Sequence, residues 1–323
     1  AEMLQSGLPD RVIHQMAPYD TVKASRAFLN HWRPDVAIWI ESELWPRMLA
    51  EVGRRGVLRL LLNARVSART AQRWAKFGRT TRAILSQFDL IQVQEKTTLD
   101  ALAAVGVSGA NVVLTGALKQ DRPPLECDPK VLAELREAIG DRPVWCAAST
   151  HAGEEEIILS AHREVGGLLI LVPRHADRAG AIAALCADAG FVVAQRSKLD
   201  QITALTQVYL ADTMGELGLW YRIAPIALIG GSLEVIGGHN PYEAAQLDTA
   251  ILHGPHVANF AQIYAALGVA GAARVITDAE GLAKAVASID PAAQSKMVQA
   301  AHAVLASGSG ATQAALNAII DRV

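Results

Sequence analysis

The sequence predicts an α/β protein built of two doubly wound domains that face a cleft. Apolar, strand-like runs alternate with segments of helical periodicity, a rhythm typical of parallel sheets covered by helices on both faces. The pattern breaks at 119–129, where prolines and acidic residues cluster, and this is the best candidate for a linker. We therefore expect a first domain at 1–122 and a second at 123–305. The last segment, 306–323, is a candidate helix for packing back on the first domain.

Composition excludes several classes of protein. The 323 residues are 51% hydrophobic and 19% charged, with a formal net charge of −2, which argues against a nucleic-acid binder or a disordered tail. Cys127, Cys146 and Cys186 show neither metal-ligand spacing nor a pairing pattern, as expected in a reducing compartment. No apolar run is long enough to cross a bilayer. The chain opens on Ala1 rather than on methionine, and we interpret it as a fragment.

The first domain shows four strand-like runs separated by helical patterns. The order is strand, helix, strand, helix, which predicts parallel pairing with crossover helices. The predicted strands are 12–16, 35–40, 57–63 and 90–94, and the predicted helices are 21–32, 45–55, 68–87 and 97–105.

The second domain repeats the same alternation with six strand-like runs, and 301–323 closes the chain as a helix. In such domains ligands bind at the carboxyl ends of the strands. The predicted strands are 144–148, 168–172, 192–194, 208–211, 226–229 and 250–252.

The most informative stretch is Gly-Gly-His-Asn-Pro-Tyr-Glu at 237–243. It follows a buried strand and leads into a helix, which is how an open α/β sheet presents backbone N–H groups to an anion. Glu243, in the first helical turn, is placed to accept hydrogen bonds from a sugar diol. A glycine pair alone is better explained as a tight connection. The added polar residues favour a ligand site, because no packing argument calls for those types together.

Similar polar motifs follow other predicted strands. Each could cap a helix, and Ser-Thr followed by Glu is also a capping-box pattern. Six such motifs at the same edge of two sheets are hard to explain by capping alone, and cations among them suit a phosphate or carboxylate. The motifs lie at 41–46 (Glu-Ser-Glu-Leu-Trp-Pro), 63–67 (Asn-Ala-Arg-Val-Ser), 114–119 (Leu-Thr-Gly-Ala-Leu-Lys), 148–156 (Ala-Ser-Thr-His-Ala-Gly-Glu-Glu-Glu), 171–175 (Leu-Val-Pro-Arg-His) and 212–217 (Asp-Thr-Met-Gly-Glu-Leu).

In order and spacing, these motifs closely resemble those of the bacterial 3-deoxy-D-manno-octulosonic acid (Kdo) transferases of lipopolysaccharide synthesis. The resemblance covers essentially the whole chain. It implies a GT-B glycosyltransferase with two Rossmann-like domains, the sugar donor CMP-Kdo being held mainly by the C-terminal one. It also implies an inverting reaction onto the lipid A precursor lipid IVA, at the cytoplasmic face of the inner membrane. No cofactor and no nucleotide-bound metal is implied.

The resemblance also implies roles for individual residues. Glu41 and Lys119 match two charged residues that stabilise the transition state, with Glu43 as a second choice for Glu41. The residues that match the CMP-binding segments are Pro173, Arg174, Met214, Gly215, Glu216, Asn240, Pro241, Tyr242 and Glu243. Those expected to support the site are Ser149, Thr150, His151, Gly238 and His239.

The sequence also departs from the family pattern. Members carry, upstream of anything in this sequence, a membrane anchor and a Gly-Glu motif whose glutamate is the general base. No base is therefore named here, and the activity of this chain by itself stays open. The Gly-Asn-Leu-Lys of many members reads Gly-Ala-Leu-Lys at 116–119, which removes one side-chain amide but keeps the lysine. At 247–250, Leu-Asp-Thr-Ala replaces a common Leu-Gly-Val-Pro.

Two alternatives to a Kdo transferase remain. Another GT-B enzyme, such as a UDP-sugar transferase or epimerase, would share the glycine pair and the late glutamate but not the other motifs. A catalytically dead nucleotide-binding module would lack the base. For contact with an anionic membrane surface we expect a basic patch in the first domain, although a solvated helix face explains the same residues. Its candidates are Arg47, Arg54, Arg55, Arg59, Arg65, Arg69, Arg73, Lys76, Arg79 and Arg82.

Overall fold

The computed structural model describes residues 9–66, 68–118, 123–307 and 310–322. The chain divides into two compact units, Ala1–Asp121 with Gly308–Val323, and Arg122–Ser307. Each unit contains one parallel sheet with helices packed on it. The predicted α/β class is confirmed.

The first unit has a four-stranded parallel sheet in the order β1-β2-β3-β4. Consecutive strands are neighbours, so each crossover covers one step along the sheet. Its strands are β1 (Val36–Ile40), β2 (Leu58–Ala64), β3 (Leu90–Val93) and β4 (Val112–Leu114). Its helices are α1 (Val22–Trp32), α2 (Pro46–Gly53), α3 (Ala68–Lys76), α4 (Gly78–Leu85), α5 (Lys96–Ala104) and, from the end of the chain, α14 (Ala311–Ile320).

The last helix, α14, closes one face of the first sheet. Its Ala315 and Ala318 are buried against Leu60, Leu62 and Leu90. The Gln92 amide also donates a hydrogen bond of 3.0 Å to the backbone carbonyl of Ala314. Small side chains on the helix let it approach the sheet closely, and the end of the chain thereby becomes part of the first unit's core.

The second unit has a seven-stranded parallel sheet in the order β11-β10-β9-β5-β6-β8-β7. The chain winds outward from β5 in one direction and then returns to β9 on its other side. The strands are β5 (Val144–Thr150), β6 (Leu168–Pro173), β7 (Val193–Gln195), β8 (Val208–Leu210), β9 (Ile226–Ile229), β10 (Ala250–His253) and β11 (Ala273–Val275). The helices are α6 (Pro129–Ile139), α7 (Glu154–Val165), α8 (Ala179–Asp188), α9 (Leu217–Ile223), α10 (Tyr242–Gln246), α11 (Ala261–Val269), α12 (Ala279–Ser288) and α13 (Pro291–Ser307).

Both faces of this second sheet are buried. Every residue of β6 and of β9 is buried, because helices cover the sheet on each side. Alternate residues of a strand point to opposite faces. Accordingly Leu168 and Ile170 belong to one apolar cluster, whereas Leu169 and Leu171 belong to the other. Strands buried on both faces read as continuous apolar runs, which is why the sequence predicts them well.

Several predicted elements are wrong. The run 12–16 is not a strand: Val12, Ile13 and Met16 are exposed, and an apolar run without a neighbouring strand leaves its backbone groups unpaired. The predicted helix 68–87 is two helices, because the backbone leaves the helical region at Phe77 (φ −111°, ψ 34°) before Gly78 starts the next helix.

The prediction of one closing helix over 301–323 is also wrong. Two helices lie there: α13, which begins at Pro291, and α14, which follows Gly310 in a left-handed conformation (φ 101°). Two strands, β4 and β11, are absent from the prediction. Each has three residues and lies at the edge of its sheet, so neither leaves a long apolar pattern in the sequence.

Candidate functional site

A cleft of about 350 Å³ opens within the second unit at the carboxyl ends of its strands. It lies by β5 and β6, close to the point where the strand order reverses between β5 and β9, which is where open α/β sheets bind ligands. Its volume is in the range of small-molecule sites. The cleft is lined by Leu125, Ser149, Val172, Pro173, Arg174, Thr213, Met214, Gly215, Leu217, Tyr221, His239, Asn240 and Glu243.

Arg174 supplies the positive charge of the cleft. Pro173 ends β6, and the Arg174 N–H donates to the carbonyl of Thr150 at 3.0 Å, which fixes the start of the turn. The Arg174 side chain is exposed and lines the cleft. A guanidinium in this position can bind a phosphate or carboxylate through two parallel hydrogen bonds.

Asn240 holds Glu243 in another part of the cleft lining. The Asn240 side-chain carbonyl accepts the Tyr242 N–H at 3.0 Å, and its amide donates to the Glu243 carboxylate at 3.1 Å. Both side chains line the cleft, whereas Pro241 and Tyr242 are buried and do not. This turn therefore presents one amide and one carboxylate to a ligand, which suits hydroxyl groups on neighbouring carbons.

The loop at 213–216 forms another wall of the cleft. Gly215 has φ 86°, a conformation that glycine adopts without strain, and Met214 is 69% exposed at the rim. Glu216 does not line the cleft. Its carboxylate accepts hydrogen bonds from Arg196 at 2.6 and 3.0 Å and from the Thr213 hydroxyl. The Arg196 guanidinium lowers the pKa of Glu216. The ion pair between them holds the loop without lining the cleft.

Glu154 fastens the glycine loop that follows β9. Its buried carboxylate accepts four backbone N–H groups, from His151 at 2.9 Å, Gly231 at 2.8 Å, and Ser232 and Leu233 at 2.9 Å each. It thus joins the turn after β5 to the turn after β9. The glutamates that follow His151 in the sequence therefore serve in part to build the site, beyond capping a helix.

Gly230 shows how closely these two turns approach. A Cβ atom at Gly230 would lie 2.5 Å from the Ser149 carbonyl oxygen, too close for any other residue type. Ser149 has a left-handed backbone (φ 61°) within a register irregularity of β5. Non-glycine residues held in this conformation cost free energy and cluster at functional sites.

The next glutamate of this motif, Glu155, is structural as well. Glu155 is fully buried, accepts the Thr150 hydroxyl at 2.9 Å, and forms an ion pair with both terminal nitrogens of Arg178, at 2.8 and 3.1 Å. This hydrogen-bonded pair raises the pKa of Arg178. Thr150, predicted as a supporting residue, therefore lies behind the cleft and does not line it.

Three histidines meet beside the cleft. The Nε2 atoms of His151 and His239 are 2.7 Å apart, and their rings are nearly parallel, with centroids 5.0 Å apart and an angle of 5° between planes. His175 packs edge-on against His151, with ring centroids 5.6 Å apart. Burial is the main cause that lowers the pKa of His151, and it lowers the pKa of His239 to about 4, helped by the charges of His151 and Arg174. Gly238, next to His239, has φ 76°.

The predicted catalytic residues belong to the first unit. Glu41 directly follows β1 with a left-handed backbone (φ 60°), and its N–H donates to the Leu62 carbonyl at 3.1 Å. Glu43 is exposed and accepts a hydrogen bond from the Trp45 indole at 3.1 Å. Lys119 lies outside the described residues.

Asn63 is a residue that the prediction did not select for a role. It is buried at the end of β2 with φ 56°, its backbone carbonyl accepts the Gln94 amide at 2.8 Å, and its side chain accepts the Leu118 N–H at 3.0 Å. Asn63 therefore fixes the segment that leads to Lys119. The strand-end motif that contains Asn63 gave the only signal for it in the sequence.

Some cations of the predicted basic patch form ion pairs, whereas others are exposed. Arg54 and Arg55 form ion pairs with Glu51, and Arg59 pairs with Asp89. Five other cations are exposed on two consecutive helices, α3 and α4, and we call this set the basic helix pair. It consists of Arg69, Arg73, Lys76, Arg79 and Arg82.

The described part of the chain contains neither a membrane-spanning helix nor a cluster of metal-binding side chains. Within residues 9–66, 68–118, 123–307 and 310–322, no helix is both long and apolar enough to span a membrane. Over the same ranges, no group of three or more histidine, cysteine, aspartate or glutamate side chains is arranged to hold a metal ion.

Comparison with known proteins gives the family. Residues 1–122 match the family model described as 3-deoxy-D-manno-octulosonic-acid transferase (kdotransferase). The 3-deoxy-D-manno-octulosonic acid transferase of Haemophilus influenzae is 34% identical over 98% of this chain and 76% of its own length. The chain belongs to the Kdo transferase family. It spans 63% of the Rickettsia typhi member, to which it is 33% identical.

Solved structures agree with this assignment. The C-terminal CMP-Kdo binding domain of WaaA from Acinetobacter baumannii is 35% identical, covers 55% of this chain and 96% of its own, and superposes with a TM-score of 0.52. MurG from Acinetobacter baumannii, 13% identical with a TM-score of 0.57, covers 99% of this chain and 87% of its own and shares the fold alone. This member of the Kdo transferase family therefore has the GT-B fold.

Part of the predicted site lines the cleft. Pro173, Arg174, Met214, Gly215, Asn240 and Glu243 line it together with the supporting residues Ser149 and His239. The prediction did not select Leu125, Tyr221 or Arg196. Arg196 follows β7, so the rule that polar residues at strand ends belong to the site could have found it. Leu125 and Tyr221 carry no such signal, because only the packing of α9 brings them to the cleft.

Proposed function

We propose that this Kdo transferase family member acts in the transfer of Kdo from CMP-Kdo to the lipid A precursor lipid IVA. The reaction inverts the sugar's anomeric configuration and needs no metal on the nucleotide. The observation that carries the proposal is the cleft at the strand ends of the second unit. Its support is the 35% identity to the C-terminal CMP-Kdo binding domain of WaaA from Acinetobacter baumannii.

In this proposal the cleft holds the CMP moiety. Arg174 binds the phosphate, and the Asn240–Glu243 turn binds the ribose hydroxyls, since a carboxylate held by an amide is a good acceptor for a diol. The Gly215 loop lies along the nucleotide. The Asn240–Glu243 turn and the Gly215 loop are held by other residues before a ligand enters, which reduces the entropy cost of binding.

The chemistry requires two kinds of charge. The departing Kdo centre gains oxocarbenium character, which a carboxylate such as Glu41 stabilises, while the phosphate of the leaving CMP gains negative charge. Arg174 and Lys119 balance that charge, as preorganised electrostatic stabilisation requires. Glu43 is the alternative to Glu41.

Calorimetry with CMP tests the nucleotide part of the proposal. We expect CMP to bind, UMP and UDP to bind more weakly, and Arg174→Ala to weaken CMP binding by about 1.5–3 kcal/mol, the range for a hydrogen bond to a charged group. Arg163→Ala, an exposed cation of the same unit outside the cleft, is the matched control. Tighter binding of UDP than of CMP would favour a different GT-B enzyme.

Transfer itself is tested separately with CMP-Kdo and the lipid A precursor. Release of CMP only in the presence of the acceptor supports a transferase, and Glu41→Gln should then slow release while leaving CMP affinity unchanged. CMP binding without turnover favours the alternative, a nucleotide-binding module.

We also propose a location, the cytoplasmic face of the bacterial inner membrane. The basic helix pair is the surface that supports it, because five exposed cations on two short helices suit anionic lipid headgroups and the phosphates of the acceptor.

A further inference from the structure

The histidine pair beside the cleft has a hydrogen-bond geometry that determines how many protons it holds. At an Nε2–Nε2 distance of 2.7 Å, one ring must donate its proton and the other must accept it. Two neutral rings satisfy this arrangement. The accepting ring then carries its own proton on Nδ1, and the donating ring has an unprotonated Nδ1. One further proton can therefore bind to that Nδ1 without breaking the bond between the rings.

The surroundings keep the pair in this neutral form. Both rings are half-buried, and burial is the main cause that lowers the pKa of each. Arg174, His175 and Arg178 add positive charge from the segment after β6, whereas Glu154 and Glu155 on α7 act in the opposite direction. Glu154 is already saturated by four backbone N–H groups, and Glu155 is paired with Arg178, so neither carboxylate is available to pair with a protonated histidine.

The backbone fixes the position of the pair. The Tyr264 hydroxyl donates to the His239 carbonyl at 2.8 Å, and the His239 N–H donates to Gly230 at 3.3 Å. Glu154 fixes the N–H of His151 in the same way. His239 itself lines the cleft alongside Arg174. An anion bound by Arg174 would therefore act on a histidine whose backbone is held in place.

We propose that the His151–His239 pair is a proton-coupled anion site, which takes up one proton from solvent when a phosphate binds beside Arg174. The added charge makes the bond between the rings charge-assisted and gives the phosphate a second cationic neighbour. For a transferase, the benefit comes at the leaving group, whose phosphate gains negative charge as the bond to the sugar breaks. This inference rests on the proposed function, since it needs a phosphate ligand in this cleft.

The expected pH dependence follows from the two states of one ring. The pKa of the His239 ring is about 4 without a bound anion, and we take a bound anion to restore it to the ordinary value of about 6.5. Binding should then take up about three-quarters of a proton at pH about 6, and affinity should rise about tenfold from pH about 8 to pH about 5.5. The sign follows because the occupied state binds more protons than the empty one.

Calorimetry with the methyl ester of CMP measures this directly. Its phosphodiester keeps one negative charge over this pH range, so the phosphate takes up no proton, and uptake by the cytosine ring would also appear with cytidine. Titrations in two buffers of different ionisation enthalpy give the number of protons, and cytidine, which lacks the phosphate, should give none. His239→Gln and His151→Gln should abolish the uptake. His302→Gln, an exposed histidine that pairs with Asp248, should preserve it.

The outcomes separate the two proposals. Binding of the ester by the unmodified chain without proton uptake overturns the histidine proposal and leaves the nucleotide site intact. Absence of any binding of the ester or of CMP overturns both. Uptake that persists in both glutamine variants moves the proton to another group, such as His175, and also overturns it. Titrations of the unmodified chain are enough to refute the proposal, so the test does not depend on whether either variant folds.

Discussion

Replacement of Glu154 by glutamine tests how the cleft is built. One carboxylate oxygen accepts the N–H groups of Ser232 and Leu233, and the other accepts those of His151 and Gly231. A glutamine side chain has the same shape but only one acceptor oxygen. Its NH₂ group must face two backbone N–H groups in a buried place, so two of the four hydrogen bonds are lost whichever way the amide turns.

The magnitude follows from these two bonds. A hydrogen bond to a charged group contributes about 1.5–3 kcal/mol, so the loss of two costs about 3–6 kcal/mol. The glycine loop can relax, and we expect the lower half of that range. The hydrogen bonds from 231–233 to Glu154 are local to this loop. The change should therefore appear as faster amide hydrogen exchange at 231–233, by roughly 10²–10³-fold, with a drop in the stability of the second unit.

Glu156→Gln is the matched control, because Glu156 lies in the same helical turn but is exposed. It should change the free energy of unfolding by no more than about 0.5 kcal/mol. Hydrogen exchange followed by mass spectrometry, together with denaturant unfolding, compares the two variants. Equal exchange at 231–233 in both would refute the idea that the buried carboxylate holds the loop.

Three further predictions use other parts of the molecule. Glu243→Ala should weaken CMP binding by about 1–3 kcal/mol if its carboxylate bonds the ribose, because that is the cost of leaving a buried polar group unpaired. Calorimetry measures the affinity, and Glu134→Ala, at an exposed position, is the control. Unchanged affinity of the Glu243 variant would contradict the assignment. Arg196 holds the pKa of Glu216 below its ordinary value of 4.5. The stabilising effect of Glu216 is therefore present above that pH and lost as the pH falls below it. Glu216→Gln should thus reduce the acid-side loss of stability in urea titrations, and an unchanged pH profile would argue against it. Reversing the charges of the basic helix pair should abolish salt-sensitive binding to vesicles that contain anionic lipid, and vesicle flotation that shows equal binding would contradict the membrane proposal.

The fold class was predictable because its signals are local. Strands such as β6 and β9 are buried on both faces and read as continuous apolar runs. The errors occurred where local pattern and tertiary pairing differ. The run 12–16 is apolar yet exposed, and β4 and β11 exist only because neighbouring strands pair with them.

The candidate site was predictable in part, for a related reason. Residues in the segments that follow strands, among them Arg174, Asn240 and Glu243, come to one edge of a parallel sheet whatever the strand order. The sequence could not show that the strand order reverses between β5 and β9. It also could not show which polar residues face the cleft and which hold it together. Glu216 and Thr150 match ligand-site motifs, but their partners in the structure are Arg196 and Glu155.

By itself, the sequence determined the alternation of strands and helices, the strand-end motifs and, through them, the resemblance to the Kdo transferases. Each depends on residues close together in the chain. Only the tertiary structure decided that Glu154 joins two turns and that His151 meets His239, 88 residues further on, at 2.7 Å. Contacts of that separation depend on strand order and on close packing, which no local pattern in the chain encodes.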